Sequence, residues 1–300
     1  MTTEYRDLSA AKTPVSCLDD FAELIKARLT ALVVLSALAG YAYAADASFQ
    51  WMQALHVVVG AGLLAAAAAA LNEAMERKRD ALMHRTQNRP LPTGRMQLSF
   101  VIPFGLLLAA IGLAWLYMFL GLLPMLVGAA TIAIYLFIYT PMKAWSPICT
   151  FVGAVTGALP PVLGTTAARG QLDGAALLVF AILYLWQLPH FFAIAWLYRQ
   201  DYRGADLAIL PKSEPAARNF VRLGALIGLL GLMATPVLAW LDGQVGVAFL
   251  VTSLVLGGVF FFFGIKFMLL VADAEARKLF FASIIYLPFV LLALVFLNGQ

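Results

Sequence analysis

Nine apolar runs, separated by polar segments, constrain this chain more than any other feature of its sequence. A transmembrane helix needs about 20 apolar residues to cross a hydrocarbon core of roughly 30 Å. The composition agrees, because 63% of the residues are hydrophobic and 12% are charged, whereas soluble domains are about half apolar and a quarter charged. The sequence therefore predicts an all-α, polytopic membrane helix bundle of about nine transmembrane helices. The predicted spans cover approximately residues 29–45, 52–75, 98–119, 125–139, 147–167, 174–197, 221–240, 246–271 and 279–297.

The basic residues predict the orientation of these spans. Of the 20 Lys and Arg, 19 lie in the N-terminal tail, in the loops that nine spans place on the same side as that tail, or near the span ends that adjoin those loops; only Arg169 lies on the other side. Cytoplasmic loops carry such an excess of positive charge. We therefore predict a cytoplasmic N-terminus and a C-terminus on the opposite side, in the inner (plasma) membrane if the source is bacterial. These flanks also account for the net charge of +4, so no nucleic acid is expected as a partner.

The first 24 residues are polar and contain no apolar core, so they do not resemble a secretory signal. We predict that residues 1–24 form a polar tail or a helix on the membrane surface, and that residues 25–300 form a single transmembrane domain. Cys17 and Cys149 both fall on the predicted cytoplasmic side. Thiols are kept reduced there, so a disulfide between them is not expected.

A charged stretch follows the second span. If that helix continues past the apolar run, Asn72, Glu76 and Asp80 are spaced i, i+4, i+8 and share one face. Three oxygen ligands in a row suit a hard cation such as Mg²⁺, and guanidinium groups pair with phosphate through two parallel hydrogen bonds. The stretch therefore predicts a metal–diphosphate site, although basic residues alone are also the ordinary flank of a span. The neighbouring cations are Arg77, Lys78, Arg79, Arg85, Arg89 and Arg95.

A second charged loop follows the sixth span and contains Asp201 and Asp206. Two such loops facing one another could bind both phosphates of a diphosphate through bridging Mg²⁺. Asp201 is the better candidate ligand, because the i+5 spacing of Asp206 takes it off the helical face. A solvated loop residue is the alternative for Asp201.

Two other features lie within the predicted spans. His190 follows a proline, and a membrane histidine marks either a cavity or a partner helix; both a heme ligand and a packed, hydrogen-bonded histidine are consistent with it. In the fifth span, Gly153 and Gly157 are four residues apart and predict close approach of a neighbouring helix. Pro160 and Pro161 in the same span predict that this helix is broken within the membrane.

In these segments the sequence resembles the UbiA-type intramembrane prenyltransferases, and most closely their heme b-farnesylating branch. The first signature reads Asn72-x3-Glu76-x3-Asp80-x2-Met83-x-Arg85-Thr86-x2-Arg89-Pro90-Leu91-Pro92-x-Gly94-Arg95. The further matching segments are Tyr139-Thr140-Pro141-x-Lys143, Gly157-Ala158-x-Pro160-Pro161-x2-Gly164, Trp186-Gln187-x-Pro189-His190-Phe191, Asp201-Tyr202-Arg203 and Ser283-Ile284-x-Tyr286-Leu287-Pro288. The resemblance extends from Leu24 to about Leu292. It departs from the family pattern at Glu76, where aspartate is frequent, and at Thr165, where tryptophan is expected.

The resemblance implies a function. Farnesyl diphosphate would bind with Mg²⁺ between the two inner loops, with its tail in a central cavity of the bundle, and heme b would accept the farnesyl group to give heme O. The implied catalytic and metal-binding residues are Asn72, Glu76, Asp80 and Asp201. The implied substrate-binding residues are Lys26, Arg28, Arg79, Arg85, Arg89, Lys143, Tyr139, His190 and Tyr202. The implied partners are the lipid bilayer and heme A synthase or oxidase-assembly proteins.

Two alternatives are open from the sequence. A prenyltransferase of the same type could act on an aromatic acid or a quinone precursor instead of heme b. A secondary transporter would also have broken helices, but its charges mark a path near the membrane midplane. Here the charges are predicted at one rim, with spans almost free of them, which argues against transport.

Overall fold

A computed structural model describes residues 16–297, and in this range the chain contains helices and turns but no β-strand. Within these residues, nine helical segments are long and apolar enough to cross a membrane, one of them a run of three consecutive helical elements over Leu122–Met142, which agrees with the predicted architecture. The structural elements are α1 (Cys17–Leu24), α2 (Ala27–Ala45), a 3₁₀ turn (Asp46–Ser48), α3 (Trp51–Asp80), α4 (Leu98–Leu120), α5 (Leu122–Ala133), a π-helix (Ile134–Tyr139), α6 (Thr140–Met142), α7 (Cys149–Arg169), α8 (Gly174–Leu197), α9 (Arg199–Gly204), α10 (Glu214–Leu241), α11 (Val247–Leu270) and α12 (Asp273–Leu297).

The spans pack in a closed order around α7, which is the most deeply buried of them. Helix α7 contacts α2, α5 and α8, while α3 packs against α2 and α4. On the other side, α8 contacts α10 and α12, and α11 fills the space between those two helices. Helices from both halves of the chain therefore surround the same interior.

Small residues bring α7 close to its neighbours, as predicted. A Cβ added at Gly153 would lie 2.7 Å from the ring of Tyr139, and one added at Gly157 would overlap the side chain of Gln187. One added at Gly164 would overlap the backbone of Ala37 in α2. At these positions glycine is required for helix contact rather than for backbone conformation.

The predicted break at Pro160 and Pro161 is wrong, because α7 runs without interruption from Cys149 to Arg169. Each proline removes one backbone hydrogen bond, yet both losses fall on a single turn. Gly40 of α2 packs directly against Pro161, so that a Cβ there would overlap the proline carbonyl group. The chain therefore continues as a helix through both prolines, at a turn that packs directly against α2.

The inner ends of two spans also differ from the prediction. Helices α10 and α12 begin at Glu214 and Asp273, roughly two turns before the predicted starts of their apolar runs. Apolarity marks the part of a helix within the hydrocarbon core, whereas the helix itself continues into the charged surface layer.

Residues 17–24 form helix α1, and its location on the membrane surface stays a prediction; residues 1–15 of the predicted tail lie outside the described residues. Ser16 caps the helix in a reciprocal capping box with Asp19. Arg95 binds Asp20 at 2.7 Å and Glu23 at 3.3 Å. Helix α1 is thereby fixed to the segment that follows α3.

Candidate active site

The acidic face of α3 is buried at the inner end of the bundle. The helix continues to Asp80, so the predicted i, i+4, i+8 spacing holds. Asn72, Glu76 and Asp80 are only 1%, 7% and 1% exposed. Burying charged groups is unfavourable unless they are paired or hydrogen-bonded, and each of these side chains does have a polar partner.

Asn72 is the centre of one hydrogen-bonded group. Its Oδ1 accepts from Nζ of Lys26 at 2.9 Å, and its Nδ2 donates to Glu76 and to Oγ1 of Thr140, each at 3.0 Å. Thr140 in turn donates to the carbonyl oxygen of Tyr135 at 2.8 Å. Helices α2, α3 and α6 are thus joined through one buried amide.

Glu76 forms an ion pair with Lys143, whose Nζ lies 3.0 and 3.1 Å from the two carboxylate oxygens. The same ammonium group lies 4.5 Å from the ring centre of Tyr139. Burial by itself would lower the pKa of Lys143, but the adjacent Tyr139 and Glu76 side chains raise that pKa above its ordinary value. Lys143 therefore keeps its positive charge.

Asp80 is paired with Arg89, with 2.8 Å between its carboxylate and the guanidinium group. Thr86 donates to the backbone carbonyl oxygen of Asp80 at 2.9 Å. Residues 81–97, the first inner loop, therefore fold back over the end of α3. The carboxylate and the arginine that the sequence analysis assigned to metal and diphosphate are in direct contact.

Residues 198–213, the second inner loop, contact both the first inner loop and the residue that pairs with Glu76. Arg85 donates to the hydroxyl of Tyr202 at 2.9 Å, and its guanidinium carbon lies 5.0 Å from the ring centre of Tyr198. Ala208 donates its amide hydrogen to the carbonyl oxygen of Lys143 at 2.7 Å. The two charged loops therefore lie side by side on one face of the bundle, as predicted.

An apolar cavity of about 320 Å³ opens beneath this polar layer. Lys26 and Tyr139 form its polar end, while the small residues of α3 and α7 form much of its wall. Pockets that bind small molecules have volumes of roughly 300–1,000 Å³, so the space is sufficient for an isoprenoid chain. Phe191 lines the cavity, whereas Phe192 and Trp196 belong to the packed core.

His190 faces α12. Its Nδ1 lies 2.6 Å from Oγ of Ser283, and its ring stacks between Trp186 and Phe280 at centroid distances of 4.9 and 5.1 Å. The Ser283 hydroxyl donates its single hydrogen to the carbonyl oxygen of Phe280. Nδ1 must then donate to Ser283, which leaves the lone pair on Nε2. The packed, hydrogen-bonded alternative thus describes this histidine, and its contact with heme stays a prediction.

Among the charged residues predicted for the site, three form no side-chain hydrogen bond or ion pair within the part of the chain that the structure describes: Arg28, Arg79 and Asp201. Arg28 is exposed, and Arg79 and Asp201 are half-buried. Asp201 lies in the short helix α9 beside Tyr202. The weaker candidate, Asp206, is exposed. Roles for these residues in binding metal or diphosphate stay predictions.

Two polar side chains of the site, Thr140 and Glu73, could not be assigned to it from the sequence. Thr140 receives the hydrogen bond from Asn72, and it stands in a motif that was noted without a role for the hydroxyl. Glu73 is wholly buried, and its Oε1 accepts from the amide of Leu91 at 3.2 Å. This contact holds the Arg-Pro-Leu-Pro turn against α3, and an acid within an apolar run was the available signal.

The face of α3 has the donors that magnesium requires. Within residues 16–297, no three His, Cys, Asp or Glu side chains lie close enough together to hold a metal ion by themselves. Mg²⁺ commonly takes only one or two carboxylates and completes its shell with substrate phosphates and water. Glu76 and Asp80 supply the carboxylates, Asn72 adds an amide oxygen, and cations able to bind phosphate lie beside them. The residues therefore fit a Mg²⁺–diphosphate group.

A model described as the UbiA prenyltransferase family matches residues 33–285. The chain belongs to the UbiA prenyltransferase family. As a member of the UbiA family it is a membrane prenyltransferase. A relative named protoheme IX farnesyltransferase, from Solibacter usitatus, is 39% identical over 280 residues, which cover 90% of this chain and 96% of the relative.

Solved structures share the UbiA fold. A structure described as that of digeranylgeranylglyceryl phosphate synthase in membranes matches with a TM-score of 0.76 at 16% identity, covering 94% of this chain and 98% of the other. A UbiA homolog from Archaeoglobus fulgidus bound to GPP and Mg²⁺ matches with a TM-score of 0.65 at 12% identity, covering 92% and 99%. At these identities the likeness shows the fold alone.

Proposed function

We propose that this protein transfers the farnesyl group of farnesyl diphosphate to a vinyl group of heme b, giving heme O and diphosphate. The observation that carries the proposal is an apolar cavity that ends at a buried row of acids and cations. Charge at the rim suits a diphosphate, and an apolar interior suits its isoprenoid tail. The relative named protoheme IX farnesyltransferase supports heme b as the acceptor.

The cations at the rim bind the diphosphate. Lys143 and Arg89 already lie against the acids of α3, and Lys26 reaches the same row from α2. Arg85 joins them from the first inner loop, where its bond to Tyr202 fixes its position. The full set of proposed contacts is Lys26, Arg28, Arg79, Arg85, Arg89, Lys143 and Tyr202.

Asn72, Glu76 and Asp80 would hold Mg²⁺ from α3, and Asp201 would do so from the second inner loop. When bound, Mg²⁺ supplies positive charge that stabilises the departing diphosphate. The Archaeoglobus fulgidus homolog bound to GPP and Mg²⁺ supports this requirement in a protein of the same fold.

The cavity wall protects the allylic cation that remains after diphosphate departs. An apolar, closed site excludes the bulk water that would destroy this cation. Tyr135, Tyr139 and Phe191 line the cavity, and aromatic faces attract cations. The vinyl group of heme b then forms the new carbon–carbon bond with its π electrons.

His190 is proposed as a heme contact through Nε2. The hydrogen bond from Nδ1 to Ser283 leaves the Nε2 lone pair free to bind iron or to accept a hydrogen bond. Stacking on Trp186 and Phe280 fixes the ring plane. A hydrogen bond on the ring nitrogen that does not bind the metal commonly orients histidine ligands in this way.

The multi-pass membrane location is consistent with hydrophobic donor and acceptor molecules. We propose that the inner loops face the cytoplasm, with the N-terminus on that side and the C-terminus on the other. Heme A synthase or oxidase-assembly proteins are the partners that would consume the product.

The proposal is tested by incubating the purified protein in lipid vesicles with farnesyl diphosphate, Mg²⁺ and heme b. Mass spectrometry should detect heme O. Parallel reactions contain 4-hydroxybenzoate in place of heme b, because a prenylated benzoate would favour the aromatic-acid alternative. Chelation of Mg²⁺ should abolish the product.

A further inference from the structure

Gln187 places an unpaired amide oxygen in the wall of the apolar cavity. The side chain is 4% exposed and lines the cavity. Its Nε2 donates to the carbonyl oxygen of Leu183 at 3.1 Å. A carbonyl oxygen can only accept, so the amino group must face Leu183 and Oε1 must face away. Within the described residues, Oε1 accepts no hydrogen bond.

The adjoining turn of α7 contains two carbonyl oxygens that lack their helical donors. Pro160 and Pro161 lack the amide hydrogens that would bind the carbonyl oxygens of Thr156 and Gly157 in α7. Thr156, Gly157 and Pro160 line the same cavity as Gln187. A Cβ added at Gly157 would overlap Oε1 of Gln187, so the amide lies directly against this turn. We name Gln187 Oε1 and the carbonyl oxygens of Thr156 and Gly157 the acceptor niche.

The acceptor niche lies close to the reacting end of the cavity. Gly157 is four residues, about 6 Å along the helix axis, deeper than Gly153, and Gly153 abuts the ring of Tyr139. The ammonium group of Lys143, which forms the ion pair with Glu76, lies over the Tyr139 ring. The niche is therefore about one turn below the proposed diphosphate site, where the first carbons of a bound prenyl chain would lie.

We propose that the acceptor niche holds the water molecule that completes the formation of heme O; this inference rests on the proposed function. A buried water needs two or more polar partners, and a niche made only of acceptors takes both water hydrogens. The oxygen lone pairs then point into the cavity. Carbonyl dipoles with their negative ends towards the cavity also stabilise a neighbouring carbocation.

The proposed step is balanced without a further reagent. The bond between the farnesyl carbon and diphosphate breaks, and the vinyl π electrons form the new carbon–carbon bond. The cation left on the carbon beside the porphyrin ring accepts a lone pair from the water, forming a carbon–oxygen bond. The oxonium proton passes to the released diphosphate. Without a positioned water, the same cation loses a proton and gives an alkene that is lighter by one water.

Gln187→Leu tests the niche through the identity of the product. We expect farnesylated heme to form mainly as the alkene, with hydroxylated heme O reduced about ten-fold relative to it. Gly157→Ala should shift the product in the same direction, because the added methyl group displaces the amide of Gln187. Pro160→Ala restores a donor for the Thr156 carbonyl oxygen and should act likewise.

Thr156→Val is the matched control, because its hydroxyl already donates to the carbonyl oxygen of Gly153. Its product should remain hydroxylated at whatever rate it forms. Wild-type proportions of heme O from both Gln187→Leu and Gly157→Ala would overturn the inference. So would a shift to alkene in Tyr135→Phe but not in Gln187→Leu. Absence of any farnesylated heme from the wild-type protein would instead reject the proposed function.

Discussion

At the scale of single residues, the inner face of α3 is defined by pairing rather than by charge alone. Glu76 has Lys143 beside it, Asp80 has Arg89, and Asn72 receives a hydrogen bond from Lys26. Removing one member of a buried pair leaves the other uncompensated, which is strongly unfavourable. Substitutions here should therefore preserve shape and a polar group where possible.

Asp80→Asn keeps the shape of the side chain and removes its charge. We expect kcat for heme O formation to fall by about 100-fold or more, because groups aimed at developing charge contribute factors of this size. The rate is measured at saturating farnesyl diphosphate and Mg²⁺, with circular dichroism to confirm the fold. Asp173→Asn is the control, since Asp173 pairs with Arg169 at the end of the bundle opposite to Asp80. Wild-type turnover in Asp80→Asn would contradict the role of this carboxylate.

Lys143→Met should raise KM for farnesyl diphosphate by about ten-fold, which corresponds to roughly 1.4 kcal/mol of lost binding. Lys143→Arg should recover part of the affinity. The pKa of Lys143 lies above its ordinary value, and a raised lysine pKa means that the charge is lost only at still higher pH. The ratio of mutant to wild-type KM should therefore stay constant between about pH 6 and about pH 9. A ratio that falls towards one in this range would show that Lys143 is neutral there.

At the scale of elements, the contact between α2 and α7 determines where the cavity wall lies. Gly164 and Gly40 allow backbone-to-backbone approach of these helices. Helix α2 carries Lys26 at its inner end, with Lys26 in the left-handed conformation (φ 48°). The position of this lysine at the rim therefore depends on helix packing in the halves of α2 and α7 that lie farther from it.

Gly164→Ala should destabilise the protein, because its methyl group would overlap the backbone of α2. Overpacking of this kind costs about 1–3 kcal/mol of folding free energy, and it should appear as a lower Tm in detergent. Gly258→Ala in α11 is the control, since a Cβ there meets nothing within 4 Å. An equal Tm for the two variants would show that α2 and α7 separate without penalty.

The contact between the two inner loops provides a second test at this scale. Arg85→Ala removes both the hydrogen bond to Tyr202 and the stacking on Tyr198. We expect faster amide hydrogen exchange in residues 81–97 and 198–213, because exposed loops with few contacts open most readily. The outer turn at residues 170–173 is the internal control. Unchanged exchange in both inner loops would show that other contacts hold them together.

At the scale of the whole molecule, the proposed orientation is open to a labelling test. Cys17 is exposed and Cys149 is buried. A membrane-impermeant maleimide should label inside-out vesicles at Cys17 and should leave right-side-out vesicles unlabelled. Cys17→Ser supplies the background signal. Labelling of right-side-out vesicles would reverse the orientation.

The number and place of the spans could be predicted because apolarity is a property of consecutive residues. The starts of α10 and α12 could not, since their first turns are helical but charged. The π-helix Ile134–Tyr139 was also not predicted, because one extra residue per turn leaves no mark on an apolar sequence. Pro160 and Pro161 predicted a break in α7, but the helix continues through them where it packs against α2.

For the candidate site, too, one part could be predicted from the sequence and another part could not. The shared face of Asn72, Glu76 and Asp80 follows from helical spacing alone. Their partners do not, because Lys26 is 46 residues from Asn72 and Lys143 is 67 residues from Glu76 in the sequence. Charge and resemblance identified these lysines as candidates, but only the fold brings them to particular acids.

The pairing of Glu76 with Lys143 and of Asp80 with Arg89 has a consequence for the order of binding that we propose. A divalent ion that bound without the prenyl donor would have to displace an ammonium or guanidinium group from its carboxylate, and that cation would then have no counter-ion. A prenyl donor accepts those cations as counter-ions and releases the carboxylates at the same moment. If the face of α3 binds Mg²⁺ as proposed, the metal and the prenyl diphosphate should therefore bind together, and Mg²⁺ should bind only weakly when the donor is absent.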